Sequence, residues 1–459
     1  MDRLKKVFFY LEGPQNVADF QKLCGMEITI RKASQSSNRS SASATKTENG
    51  DAGKHSSNCE LRHRDTLNVV GNQDNISEST SSTSKNGFIP NGLNGVCHQT
   101  ANGFVKNGHI RNGFQSPESI PNHTDKEEVE VDYKIHNKLV HSIFLLGAAL
   151  GNEMFYLIFF PFMMWNVDSR LLRRMLIVWH VGMYLGQAAK DVFRRPRPAS
   201  PPVAYLEKRY VTEYGMPSTH SLVGAIMPFS ILYVSLDQYQ YNFTVGLIIA
   251  LTWTILVGCS RIYLGMHTAL DVICGILTAC IIMPVLLPLV STFDYLQITH
   301  PLAPMVTVLG SFILCFVYPT VKEWNTARGD TATVHGIGSG ISFGCWLNYF
   351  FGLMYTVPSG APYVINFPTA KWLLLSLVRI VLGASLIAGG RHIAKRSSIR
   401  FLCYIYGEDK NDIEVLRQNK VETPQKFFTY FIISMGATFI APLIFKTIGI
   451  HREAFYTEF

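Results

Sequence analysis

The chain has 459 residues, 47% of them hydrophobic and only 16% charged, with a positive mean hydropathy. That balance excludes an ordinary soluble globular domain and points to the membrane class. The net charge of +8 raises nucleic acid as a partner, but the Lys and Arg residues flank apolar runs without forming one basic surface with interleaved aromatics, so they read as membrane flanks.

Met1 to Tyr10 lacks the apolar core and small-residue cleavage site of a secretory signal, so the first membrane helix is expected to direct insertion. The stretch to residue 135 is rich in Ser, Thr, Asn and Lys and carries Asn-Gly pairs at Asn86, Asn91, Asn94, Asn102, Asn107 and Asn112. One such pair between alternating apolar residues suggests a hairpin; this many in a stretch of low hydrophobicity read as low complexity, and residues 1–135 are expected to be a disordered tail.

From Leu139 onward, apolar runs alternate with short polar joints, each run near the ~20 residues that cross a ~30 Å hydrocarbon core. They lie at 139–165, 172–193, 217–236, 244–263, 269–290, 303–319, 336–357, 372–390 and 427–447. The expected fold is therefore all-α, a polytopic transmembrane helical bundle of about nine spans over residues 136–459, since lipid leaves no partner for unpaired backbone groups and no barrel alternation is present. The nine cysteines show no CxxC or Cys/His metal spacing, and Cys259, Cys274, Cys280, Cys315 and Cys345 lie in or beside apolar stretches, so neither a disulfide framework nor a zinc site is expected.

Three polar clusters stand at helix ends. The first, residues 190–198, sets Lys190 at the last turn of an apolar helix, while Pro196 and Pro198 stiffen the chain that presents Arg197. It reads either as a basic membrane flank or as two cations converging on one anion. The second is Pro217, Ser218, Thr219 and His220, opening the third helix: an ordinary N-terminal cap, or an anion site made by unpaired N–H groups at the positive end of the dipole.

The third spans residues 260–271. His267 and Asp271 are four apart and share a face if a helix begins near Met266. They form either a structural pair or a catalytic one, in which the carboxylate fixes the imidazole tautomer and leaves the other nitrogen as base or nucleophile. By helix parity all three clusters face one side of the membrane, which gathers two His, one Asp and several cations at one interface.

K-x6-R-P at Lys190, Arg197 and Pro198, P-S-x-H at Pro217 to His220, and S-R-x5-H-x3-D from Ser260 to Asp271 resemble the signature of the type 2 phosphatidic acid phosphatase superfamily. The stretches at Pro14 to Gly25, Gly151 to Glu153, Ala199 to Pro202 and Arg328 to Ala332 are similar to its sphingosine-phosphate branch, so the likeness covers the membrane part and the extreme N-terminus. Many members of the superfamily have Gly where Thr219 stands. If φ > 0 is required there, Thr is strained, but Thr is usual in the sphingosine-phosphate branch and an active enzyme is expected.

The resemblance implies a lipid phosphomonoesterase of the endoplasmic reticulum membrane, acting on sphingoid-base phosphates. In it Lys190, Arg197 and Arg261, with the Ser218 hydroxyl and backbone N–H groups near Thr219, hold the phosphate oxygens. His267 attacks phosphorus, oriented by Asp271, and His220 protonates the leaving alkoxide, then activates water against the phosphohistidine. No carboxylate cluster accompanies the motifs, so no metal and no cofactor are expected, and vanadate should inhibit.

Glu153 lies near the middle of the first expected helix and reads as a packing residue or as a partner for the ammonium of a sphingoid base; Arg379 and His180 read as packing, and Arg328 to Asp330 as a loop. A transporter would need charges lining a path through the helices, whereas these gather at one interface. A phosphotransferase and a lipid phosphatase of broader range stay open.

The flanking charges disagree about orientation. Arg170, Arg173 and Arg174 make the joint 166–174 cytosolic and the active face lumenal, as the resemblance implies, whereas Arg391, Lys395, Arg396, Arg400, Lys410 and Arg417 after the eighth helix argue the opposite. Asn38, Asn75 and Asn122 are glycosylation acceptors usable only in a lumenal tail.

Overall fold

In hydrocarbon every backbone N–H and C=O must bond within the protein, which leaves the helix as the natural element for these apolar runs. The computed structural model describes residues 2–32, 129–319, 321, 324–355, 360–365 and 367–458, and most of them are helical. At the N-terminus α1 (Asp2–Glu12) and α2 (Pro14–Leu23) precede β1 (Met26–Lys32), which pairs antiparallel with β2 (Val129–Ile135), Met26 opposite Ile135.

Residues 2–32 and 129–135 thus depart from the expected disordered tail. Ile28, Val131, Tyr133, Phe20 and Phe144 pack around buried Met26 and Tyr263, a cluster assembled from chain segments too distant for a local pattern to report. The Asn-Gly pairs from Asn86 to Asn112, and the acceptors Asn38, Asn75 and Asn122, lie outside the described residues.

The first expected span is two helices, α3 (Lys138–Leu150) and α4 (Glu153–Phe162), the second continued by a wide turn at Met163–Val167, with a bend of 63° between them. Asn152 caps α4, its side chain accepting from the Met154 N–H at 3.2 Å, so Glu153 stands at a helix start and not in mid-helix. Then come α5 (Ser169–Phe193), α6 (Thr219–Ser235), β3 (Tyr239–Gln240), α7 (Phe243–Tyr263) and α8 (Ala269–Leu286), the last running through a short 3-10 turn into α9 (Val290–Thr299). A wide turn at Met305–Leu309 leads into α10 (Gly310–Val317) and then α11 (Ala327–Phe350); β4 (Tyr363–Val364) pairs with β3, and α12 (Ala370–Tyr406), α13 (Ile413–Arg417), α14 (Asn419–Met435) and α15 (Ala441–Thr447) complete the order.

Among the described residues four helical stretches are long and apolar enough to cross a membrane: Phe243–Tyr263, Ala269–Thr299, Ala370–Tyr406 and Asn419–Thr447. The bent α3 and α4 pair makes a fifth, while Thr219–Ser235 and Met305–Val317 are apolar but shorter. The chain is therefore a multi-pass helical membrane protein. The expected helix 372–390 continues to Tyr406, so Arg391, Lys395, Arg396 and Arg400 stand on a helix and not in a joint.

Leu172, Met175, Val178 and Trp179 of α5 are buried against Leu222, Ile226 and Met227 of α6. Because lipid tails are as apolar as these side chains, close packing and not exclusion from water holds them together. The outward residues Ile248, Ile255, Ile281, Val285, Leu377 and Val381 are exposed, as lipid-facing positions should be. On α11 the turn-spaced Gly336, Gly340 and Gly344 let α14 approach closely; a methyl group at Gly340 would collide with the Phe431 carbonyl.

Candidate active site

α5 ends at Arg194, whose left-handed backbone (φ 53) closes the helix with an N–H bond to the Lys190 carbonyl at 2.9 Å and sends the chain toward Pro196. Lys190 on the last turn is only 1% exposed, and its Nζ donates to Glu213 Oε2 at 2.9 Å. Arg197 reaches the same carboxylate at 3.7 Å, donates from Nε to the Glu213 carbonyl at 3.0 Å, and donates from Nη1 to the Met266 carbonyl at 2.7 Å. The two cations of the first cluster therefore converge, as required of an anion site.

Ser218 is the N-cap of α6: its Oγ accepts from the Ser221 N–H at 3.4 Å and from the Ser221 hydroxyl at 3.0 Å, which leaves its own proton to donate. Pro217 falls one residue before the cap, not at the first helical position. Thr219 opens the helix in helical conformation. Among the described non-glycine residues only Arg194 has positive φ, so the strain considered for Thr219 does not arise. The Thr219 and His220 N–H groups, in the first turn, have no carbonyl four residues back to bond. The half-buried His220 meets the Tyr210 ring edge to face at 5.4 Å.

Arg261, on the last turn of α7, is 1% exposed and donates to Glu207 Oε2 at 3.2 Å. Its Nη2 has no partner among the described residues. His267 lies in the turn between α7 and α8, buried, and Arg197 Nη1 donates toward its Nε2 at 3.2 Å. A guanidinium can only donate, so Nε2 carries the lone pair and Nδ1 the proton.

Nδ1 is 3.8 Å from Asp271 Oδ2, an ion-pair distance too long for a hydrogen bond. That oxygen instead accepts from the Thr268 N–H at 2.8 Å, in a capping box that starts α8. The Asp271 carbonyl accepts from the Ser218 N–H at 3.0 Å and ties the second cluster to the third.

All eight candidate residues are thus drawn together, and Arg261, Lys190, His267 and Arg197 all act electrostatically on His220. Burial first, then Arg197, Lys190 and Arg261, push the His267 pKa well below 6.5, which favours the neutral imidazole whose Nε2 accepts from Arg197. Burial alone would raise Glu213; Lys190, Arg197 and the bonds from Thr326 and Lys190 outweigh it and hold the carboxyl below its ordinary range.

Glu213, Glu207 and Tyr210 escaped the sequence reading, because an acidic or aromatic residue in a polar joint is indistinguishable from a solvated one. Glu153 pairs with Arg209 at 2.8 Å and accepts from Tyr210 Oη at 3.4 Å; Arg379 bonds the Ile450 carbonyl and Asn166 Oδ1, and His180 meets His335 at 2.6 Å. Arg328 to Asp330 open α11 and do not form a loop. Among the described residues no three His, Cys, Asp or Glu side chains are grouped to hold a metal ion.

Interdigitated cations, a helix start and a neutral imidazole at one helix-end cluster define a membrane enzyme of phosphoryl transfer, and the family model that matches residues 171–294 is described as the PAP2 superfamily. Sphingosine-1-phosphate phosphatase 2 of Homo sapiens is 38% identical over 320 residues, 69% of this chain and 80% of that protein. Sphingosine-1-phosphate phosphatase 1 of Mus musculus is 36% identical over 455 residues, 98% and 99% of the two chains. A dihydrosphingosine 1-phosphate phosphatase of Schizosaccharomyces pombe is 24% identical over 302 residues, 61% of this chain and 69% of that protein. The chain belongs to the sphingosine-1-phosphate phosphatase family within the PAP2 superfamily. No solved structure matches it.

Proposed function

We propose that this chain hydrolyses sphingosine 1-phosphate and related sphingoid-base phosphates in the membrane, through a phosphohistidine on His267. The observation that carries the reading is the buried His267, whose Nε2 accepts from Arg197 Nη1 at 3.2 Å while the charges of Lys190 and Arg261 also act on the ring. Sphingoid-base substrates are named for the relatives on both sides of the animal and fungal division, which supports the substrate class.

The cations, the Ser218 hydroxyl and the Thr219 N–H take the nonbridging oxygens, where charge neutralisation and positioning make up most of phosphoryl transfer. His267 Nε2 forms the P–N bond as the P–O bond to the lipid breaks, and His220, which takes up a proton when the negative phosphate enters the site and offsets the cations, gives that proton to the departing alkoxide. Water then attacks phosphorus, yields its proton to His220, and releases phosphate and neutral His267. Asp271 stands beside the Nδ1 proton and favours the imidazolium-like charge that develops on attack.

Endoplasmic reticulum residence, nine crossings and a lumenal active face belong to the same reading, supported by the family likeness and, for the crossings, by the nine apolar runs of the sequence.

Phosphate release from sphingosine 1-phosphate and lysophosphatidic acid, with purified protein and excess chelator, tests it. Selective, chelator-resistant release from the sphingoid substrate is expected; equal rates would make it a broader lipid phosphatase, phosphate passed to an added alcohol in preference to water a phosphotransferase, and loss in chelator a metal enzyme.

A further inference from the structure

Glu213 lies outside all three signature motifs, yet it is the group around which the phosphate-binding cations are arranged. It is 5% exposed, and a buried carboxylate survives only where partners compensate its lost hydration. One oxygen takes Lys190 at 2.9 Å and Arg197 at 3.7 Å; the other accepts from the Thr326 hydroxyl. The carbonyl of the same residue accepts from Arg197 Nε at 3.0 Å, so Glu213 grips that guanidinium from main chain and side chain together. The Gly215 N–H bonds the Arg195 carbonyl at 2.7 Å, closing the loop that carries Glu213 onto the chain that carries Arg197.

These contacts leave donors over. Lys190 gives one of its three N–H groups to Glu213 and keeps two; Arg197 commits Nε and Nη1 to the Glu213 and Met266 carbonyls and His267, while its Nη2, 3.7 Å from Glu213 Oε2, is held by charge at a distance too long for a hydrogen bond and keeps its N–H groups to donate. We propose that Glu213 is a positioning residue for dephosphorylation: it holds Lys190 and Arg197 as one preformed fork for the phosphoryl group. Thr326, which precedes α11 and lies beyond the part matched by the family model, orients Glu213 in turn. Without this counter-charge, two cations a few ångströms apart repel each other and find other partners, and the fork opens.

The inference rests on the phosphate-binding role proposed for Lys190 and Arg197, and two readouts keep it separable from the substrate. Full-length wild type, Glu213→Gln, Glu213→Asp and Thr326→Val are compared in detergent micelles for kcat and KM on sphingosine 1-phosphate, and for the rise in Tm on adding vanadate. Glu213→Gln should lower the Tm without ligand, because Lys190 and Arg197 lose their counter-charge, and in the molecules that stay folded should lose on the order of 100-fold in kcat/KM with a raised KM and lose the vanadate rise, because a misplacement of about 1 Å suffices for such a loss. Glu213→Asp should recover part of both, and Thr326→Val should show a smaller loss in the same two quantities. Wild-type KM and vanadate response in Glu213→Gln would overturn the proposal; if that variant does not fold, wild-type values in Thr326→Val would overturn it. Wild type that binds vanadate but spares sphingosine 1-phosphate would overturn the substrate reading alone.

Discussion

His267 is buried in a turn among three cations, and that position explains both its chemistry and its cost. A histidine whose folded pKa is lowered takes up its proton more readily in the unfolded chain, so below 6.5 the unfolded state binds more protons and stability falls as pH falls. The contribution is at most one proton, about 1.4 kcal/mol per pH unit. His267→Asn, neutral at every pH, should therefore lose Tm less steeply than wild type between pH 6.5 and 5; parallel Tm curves would show that His267 titrates normally. The same residue was legible in sequence because His267 and Asp271 are four apart, but the hydrogen bond that a catalytic pair would make is not formed: Thr268 takes the Asp271 oxygen as a cap and leaves 3.8 Å between the pair.

At the level of elements, each motif was legible because it ends or begins a helix, where free N–H groups or a last-turn cation have a predictable direction. Which helices meet was not legible, since that depends on small residues whose spacing carries no chemistry of its own. Gly275 of α8 is one: its Cα lies against the Ser218 carbonyl, and an added methyl would collide with it and come within 3.3 Å of the Leu222 N–H. The start of α6, with Ser218, Thr219 and His220, is held in place by that approach. Gly275→Ala should cost roughly 1–3 kcal/mol, the range for overpacking, and lower activity per folded molecule by shifting the anion site. Unchanged Tm and activity would mean that α8 can yield without moving α6. The bend at Gly151 and Asn152 was hidden for a related reason: hydropathy counts apolar residues and does not see an Asn that caps a new helix.

At the scale of the whole chain, the site is built from more than its motifs. Tyr318 donates to Asp191 Oδ2 at 2.8 Å and Asn325 to Asp191 Oδ1 at 3.0 Å, beside the Thr326 bond to Glu213, so the segment between α10 and α11 clamps the end of α5 that bears Lys190. At the other end, Gln21 of α2 bonds the carbonyls of Ala204 at 2.7 Å and Tyr263 at 2.9 Å, bracing the loop that carries Glu207 and Glu213 against the end of α7. The N-terminal elements are therefore part of the phosphatase, which the low-complexity composition of the neighbouring chain obscured. Arg391, Lys395, Arg396 and Arg400 are helical, but so are Arg170, Arg173 and Arg174 at the start of α5, so a rule that counts charges in loops loses weight on both sides of the orientation question.

The proposed mechanism requires that His267 Nε2 becomes covalently phosphorylated. Substrate labelled in its phosphate, mixed with enzyme and quenched in alkali within one turnover, tests it most directly, with the labelled peptide identified by mass spectrometry. An acid-labile phosphoryl group on His267, absent from His267→Ala, and no phosphate release by that variant are expected. Label on another residue, or release by His267→Ala at the wild-type rate, would contradict it.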